Sequence, residues 1–116
     1  MSKNLILDLS MNFAVEIVRL CESMKWKSIL TNQLLRSGTS IGANIHEANY
    51  ASSKADFIAK LQIALKECHE IEYCLSLFAR TDLISEATYS KLSNDSGKIR
   101  KILITSINTA KGNLDK

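Results

Sequence analysis

The sequence has no proline at any of its 116 positions and only four glycines. Sandwiches and barrels need frequent turn residues, so this scarcity argues against an all-β chain and for long helices. Aromatic residues are few, at 6%. No apolar run approaches the roughly 18 residues needed to span a bilayer, so no membrane association is expected. The opening "MSKNLILDLSMNF" lacks the uninterrupted apolar stretch and small-residue cleavage site of a signal peptide. Cysteine is limited to Cys21, Cys68 and Cys74, odd in number and without a C-x-x-C pair. Reduced thiols in a cytoplasmic protein, most of them small core residues, are therefore expected. Neither sign of charge dominates, since the net charge is +3 with a pI near 8.8. That mild excess permits nucleic-acid binding without demanding it.

Hydrophobic residues make up 46% of the chain and charged residues 23%, a globular balance over a length that suits one domain. Four amphipathic segments predict helices at about 4–25, 29–51, 54–80 and 86–112. In the first, Ile6, Leu9, Phe13, Ile17, Leu20 and Met24 recur at threes and fours. The phase slips at Lys25–Ser28, where a short connection is expected. Leu30, Leu34, Ile41, Ile45 and Ala48 share one side of the second segment. The third starts at a capping-box-like Ser53/Asp56 pair. Its residues Phe57, Leu61, Ala64, Cys68, Ile71, Leu75 and Phe78 then step by alternating fours and threes. That period, near 3.5, means left-handed, near-antiparallel helix packing. Ser85 is a good N-cap for the fourth segment, where Leu92, Ser96, Ile99, Leu103, Ser106 and Ala110 carry the same stepping. "SNDSG" at 93–97 reads locally as a turn, but the apolar phase continues across it, so one helix is expected with a kink left open. The fold class implied is an all-α, up-down-up-down four-helix bundle over residues 1–116.

One stretch matches a catalytic pattern. Gly38-Thr39-Ser40-Ile41-Gly42 fits G-x-S-x-G, with His46 close behind. A nucleophile elbow requires a strand running into a sharp turn, whereas "SILTNQLLR" keeps helical phase into the motif. On a helix Ser40 and His46 stand about 120° apart, out of mutual reach. Glycine inside a helix costs about 1 kcal/mol relative to alanine, so close approach of a neighbouring helix explains Gly38 and Gly42 better than mere tolerance does. Di-iron bundles need Glu-x-x-His, but Ala43 and Lys66 stand three before His46 and His69. No Walker A or dinucleotide fingerprint is present. The chain is expected to be no enzyme and to use no metal or cofactor.

Three surfaces stand out as candidates for partners. Arg36, Ser40, Asn44 and Glu47 form a polar row on the second helix, either bonding along the helix or meeting a partner chain. Opposite the third helix's core stripe lie Ile63, Tyr73, Cys74 and Leu77, with Glu70 among them; a subunit interface is favoured there over scattered exposure. From Lys91 to Lys111 there are five basic residues, Lys91, Lys98, Arg100, Lys101 and Lys111, against one acid, Asp95. Lys91, Lys98 and Lys101 fall within an arc of about 80°. They form either a solvated face or, repeated round a symmetric oligomer, a nucleic-acid site.

Gln33 to Ala79 resembles the bacterial four-helix-bundle family of 23S rRNA intervening-sequence proteins, which includes the accessory variability determinant of diversity-generating retroelements. The resemblance rests on Arg36, Ser37, Ser40, Ile41, Asn44, Ile45 and Glu47, and on Ser53, Lys54, Phe57, Ile58, Leu61, Ile63 and Ala64. Glu70 and Glu72 fall on the family's E-L-E element. It implies a homopentameric barrel with a basic surface, and nucleic-acid binding beside a reverse transcriptase in retroelement members. The polar row would then be structural or interfacial. The expected function is a non-enzymatic oligomeric accessory protein that binds structured RNA or an RNA–DNA hybrid, with ribosomal RNA or a reverse transcriptase as partner. The alternative is an oligomeric protein-interaction or scaffold module with no nucleic-acid role.

Overall fold

The computed structural model describes residues 3–24 and 29–114. Within them are four helices, α1 (Lys3–Ser23), α2 (Ile29–Ala48), α3 (Lys54–Arg80) and α4 (Glu86–Leu114), and no strand. The expected connection at Lys25–Ser28 lies outside the described residues. α2 packs against α1 and α3, and α4 against α3 and, over less of its length, α1. The molecule is a rod of 49 × 21 × 21 Å, its length set by the helices of 27 and 29 residues at about 1.5 Å per residue. No helix among the described residues is long and apolar enough to cross a membrane.

The helix ends follow local chemistry. Ser53 Oγ accepts the Asp56 N–H at 3.0 Å, while the Asp56 carboxylate accepts the Ser52 N–H at 3.1 Å. The reciprocal cap is thus displaced by one residue from a standard capping box. Ser85 Oγ accepts the Thr88 N–H at 3.1 Å and caps α4. Between α3 and α4 the Leu83 N–H returns to the Phe78 carbonyl at 2.9 Å, and Asp82 takes φ 60 to allow it. α2 stops at Ala48; Asn49, Tyr50 and Ala51 continue only as turns, each N–H bonding the carbonyl three residues back.

The predicted stripes converge on one core. Phe13, Ile17 and Cys21 of α1, Leu34, Ile41 and Ile45 of α2, Leu61 through Phe78 of the α3 stepping, and Leu92, Ile99 and Leu103 of α4 are buried together. Phe57 sits at the half-buried end of its stripe, and Leu30 is exposed. α4 runs without a break through "SNDSG". Ser96 explains why: it is fully buried in core phase, and its hydroxyl donates to Glu72 Oε2 of α3 at 3.4 Å.

Gly38 and Gly42 both face α1, but only one is tight. A Cβ on Gly38 would stand 2.9 Å from both Cγ atoms of Ile17. At Gly42 the neighbour is Ser10, and a Cβ would meet its carbonyl oxygen at an ordinary 3.5 Å.

Candidate nucleic-acid and subunit interfaces

The basic residues of α4 divide into two groups. Lys91, itself exposed, and Arg100 are paired with acids of the same chain. Lys91 Nζ lies 2.5 Å from Glu16 Oε1 of α1 and 3.0 Å from Asp95 Oδ2 one turn along α4. Those bonds, the one to Glu16 foremost, hold the ammonium's pKa above its ordinary value. Arg100 Nε donates to Glu72 Oε2 at 3.0 Å. Lys98, Lys101 and Lys111 are exposed and make no ion pair among the described residues.

Lys98 and Lys101 belong to a longer strip. Asn94, Lys98, Lys101, Thr105 and Asn108 are all exposed and share about 80° of arc over roughly 21 Å of helix. Two consecutive cations are flanked there by neutral hydrogen-bonding side chains, and the strip contains no carboxylate. Lys111 continues it one turn further on, displaced round the helix by about 60°.

The polar row of α2 closes within the chain. Arg36 Nη1 donates to Glu67 Oε2 at 2.9 Å, and its other terminal nitrogen donates to Glu70 and, at 3.3 Å, to Ser37 Oγ. Gln33 adds a 2.8 Å bond to Glu70. The Arg36 bond holds the Glu70 carboxyl below the usual carboxylate range, and Glu70 with Glu67 raises the guanidinium's pKa. Asn44 Nδ2 donates to the Ser40 carbonyl at 2.8 Å, and Glu47 pairs with Lys60 of α3 at 3.4 Å. The row is therefore a clasp between α2 and α3. Its α3 half (Lys60, Glu67) carries no local signal, because Glu67 reads as one more charge in a charged segment.

On α3's outer side Tyr73 is 70% and Ile63 45% exposed. Leu77 is half-buried. Cys74, expected beside them, is buried instead. It sits three residues after Ile71 and four before Phe78, at the edge of the core stripe and close enough to Arg36 to feel its charge. A second apolar surface was missed by reading only the inward phase of α1: Met11 and Val15 are exposed, with Ala14 and Val18 half-buried beside them. Their own spacing of fours and threes was the available signal.

Ser40 lies inside α2, and His46 meets Tyr50 in a tilted contact, with ring centroids 5.4 Å apart and planes at 60°. Among the described residues no three His, Cys, Asp or Glu side chains gather closely enough to hold a metal ion.

The sequence matches the family model for the 23S rRNA-intervening sequence protein over residues 2–105. The chain belongs to that family. A crystal structure at 1.70 Å resolution of a protein of unknown function from the S23 ribosomal protein family of Bacteroides thetaiotaomicron VPI-5482 is similar. It shares 49% identity and a TM-score of 0.89, covering 93% of this chain and 99% of that one. No curated protein matches significantly. The likeness to this member of the S23 ribosomal protein family covers the helical frame on which this chain carries the α2–α3 clasp and the α4 strip.

Proposed function

We propose that this chain is a non-enzymatic, cytoplasmic accessory protein that assembles into a homopentamer and binds structured RNA, or an RNA–DNA hybrid, through α4. One observation carries the reading. In a member of a family described by 23S rRNA intervening sequences, α4 exposes Lys98 and Lys101 among neutral polar residues, and the neighbouring carboxylate, Asp95, is paired with Lys91. Phosphate binding gains from release of condensed counterions, and each neutralised phosphate adds about 0.7–0.9 to the salt slope. A single strip neutralises few phosphates, so affinity comes from repeating it on a rigid ring.

The bundle is read as antiparallel throughout. Between α1 and α2 the contacts Ser10–Gly42, Ile17–Gly38 and Cys21–Thr31 run in opposite chain directions. Between α2 and α3 Arg36–Glu67 and Glu47–Lys60 do the same. In that arrangement exposed Ile63 and Tyr73, with half-buried Leu77, are the free part of the expected interface, since Arg36, Asn44, Glu47 and Glu70 have partners within the chain.

The test is a triple variant, Lys98→Gln/Lys101→Gln/Lys111→Gln, assayed against a fluorescent hairpin RNA over a salt series. At least tenfold weaker binding and a flatter salt slope are expected, with oligomer mass unchanged. Unchanged binding would contradict the reading and favour a protein-interaction module with incidental charge. The in-chain pairing of Lys91 and Arg100 is the observation on that side.

A further inference from the structure

Two helix faces carry complementary patterns of the same length. On α1, Leu7, Met11, Ala14, Val15 and Val18 form an outward stripe bracketed by exposed Asp8 and Glu22. On α3, Tyr73 and Leu77 lie within a stripe bracketed by exposed Lys66 and Arg80. Each bracketing pair is separated by fourteen residues, about 21 Å of helix. None of the four makes an ion pair among the described residues. Among other charges near the stripes, Glu70 is held by Arg36 and Gln33, and exposed Arg19 lies on the Asp8 edge of the α1 stripe, about 20° round the helix from Asp8 and about 60° from Glu22.

We infer that the α1 stripe of one protomer seats the α3 stripe of a second copy of this chain. The inference rests on the oligomeric reading above and names the surfaces that make it. Val15 lies midway between the two acids and Tyr73 midway between the two bases. Two helices laid side by side therefore pair both ends and bring these central residues together. Shape agrees with charge. Around Val15 the α1 face forms a shallow, open hollow of ≈ 650 Å³ lined by Met11, Ala14, Val15, Val18, Arg19 and Glu22. Tyr73, 70% exposed, is the large side chain of the α3 stripe available to enter it. An aromatic anchor in a mainly apolar hollow, with charged pairs at the rim setting register, is an ordinary interface arrangement. The two faces differ, so the contact is heterologous: it leaves one α1 face and one α3 face free on any pair, and addition continues until a ring closes.

Sedimentation equilibrium on four chains tests this: wild type, Asp8→Lys/Glu22→Lys, Lys66→Glu/Arg80→Glu, and all four changes together. Each double variant places like charges at both ends and is expected to raise the dissociation constant at least tenfold. The quadruple variant exchanges the signs and is expected to regain the wild-type mass. Double variants of wild-type mass, or a folded quadruple variant that stays dissociated, would overturn this interface while leaving oligomerisation standing. A wild-type monomer at every concentration would overturn the oligomeric reading as well. If a charge-swapped chain does not fold by circular dichroism, Tyr73→Ala decides: dissociation supports the interface, and wild-type mass overturns it.

Discussion

Gly38 and Gly42 sit one turn apart on the same face of α2, and their surroundings assign them opposite roles. Ile17, opposite Gly38, is fully buried and has no room to yield to an added methyl 2.9 Å away. Overpacking costs about 1–3 kcal/mol, against which alanine regains about 1 kcal/mol of helix propensity. Gly38→Ala is thus expected to destabilise the protein by up to about 2 kcal/mol in urea unfolding. Gly42→Ala adds only ordinary contacts and is expected to stabilise it by up to about 1 kcal/mol. Shifts of the same sign would contradict this account. Helical phase alone showed that both glycines face a neighbour. That one faces isoleucine and the other serine depends on how α1 is set against α2, which no local pattern encodes.

The thiols belong to the same scale. Burial pushes the Cys68 thiol up to about 12, with the nearby Glu72 charge adding to it, and burial raises Cys21 and Cys74 as well. The thiolate is the reactive form, so the native protein is expected to resist a thiol-reactive dye at neutral pH and to label at all three sites once denatured. Rapid labelling of the native chain would contradict the burial of Cys74 in particular.

At the scale of elements, α2 and α3 are joined by Arg36, Glu67 and Glu70. Removing the guanidinium leaves Glu67, only 7% exposed, without its cation. Arg36→Ala is expected to cost about 2 kcal/mol, the usual cost of a lost charged hydrogen bond. The pH dependence has a definite sign. Glu70's carboxyl is held below its ordinary value chiefly by the Arg36 bond. Its contribution is therefore present above the unfolded-state value, about 4.3, and is lost as pH falls through the lower folded value. Melting temperatures taken from neutral pH downward should show wild type ahead of Glu70→Gln, with the gap closing below about pH 4. A gap independent of pH would contradict the pairing. The helices themselves were legible from spacing and caps, above all α3. The partners of Lys91 and Arg100 were not, because Glu16 and Glu72 lie on other helices and ion pairs between helices leave no periodic trace.

For the whole molecule, the four-helix class followed from the missing prolines, the scarce glycines and the sustained stepping of α3 and α4. The ring of helix contacts follows from giving each apolar stripe a neighbour. The second, outward stripe of α1 escaped notice because a helix with one good inward face raises no question about its other side. On the proposed reading, that stripe and Tyr73 are covered by further copies of the chain, and the α4 strip holds a ligand that repetition makes strong. Sedimentation velocity of the protein with a fluorescently labelled hairpin RNA at low salt measures both properties at once. The RNA is expected to travel with a particle several times heavier than the 12.9 kDa chain, and to be released as salt is raised. RNA that sediments alone beside a 12.9 kDa protein would contradict the account.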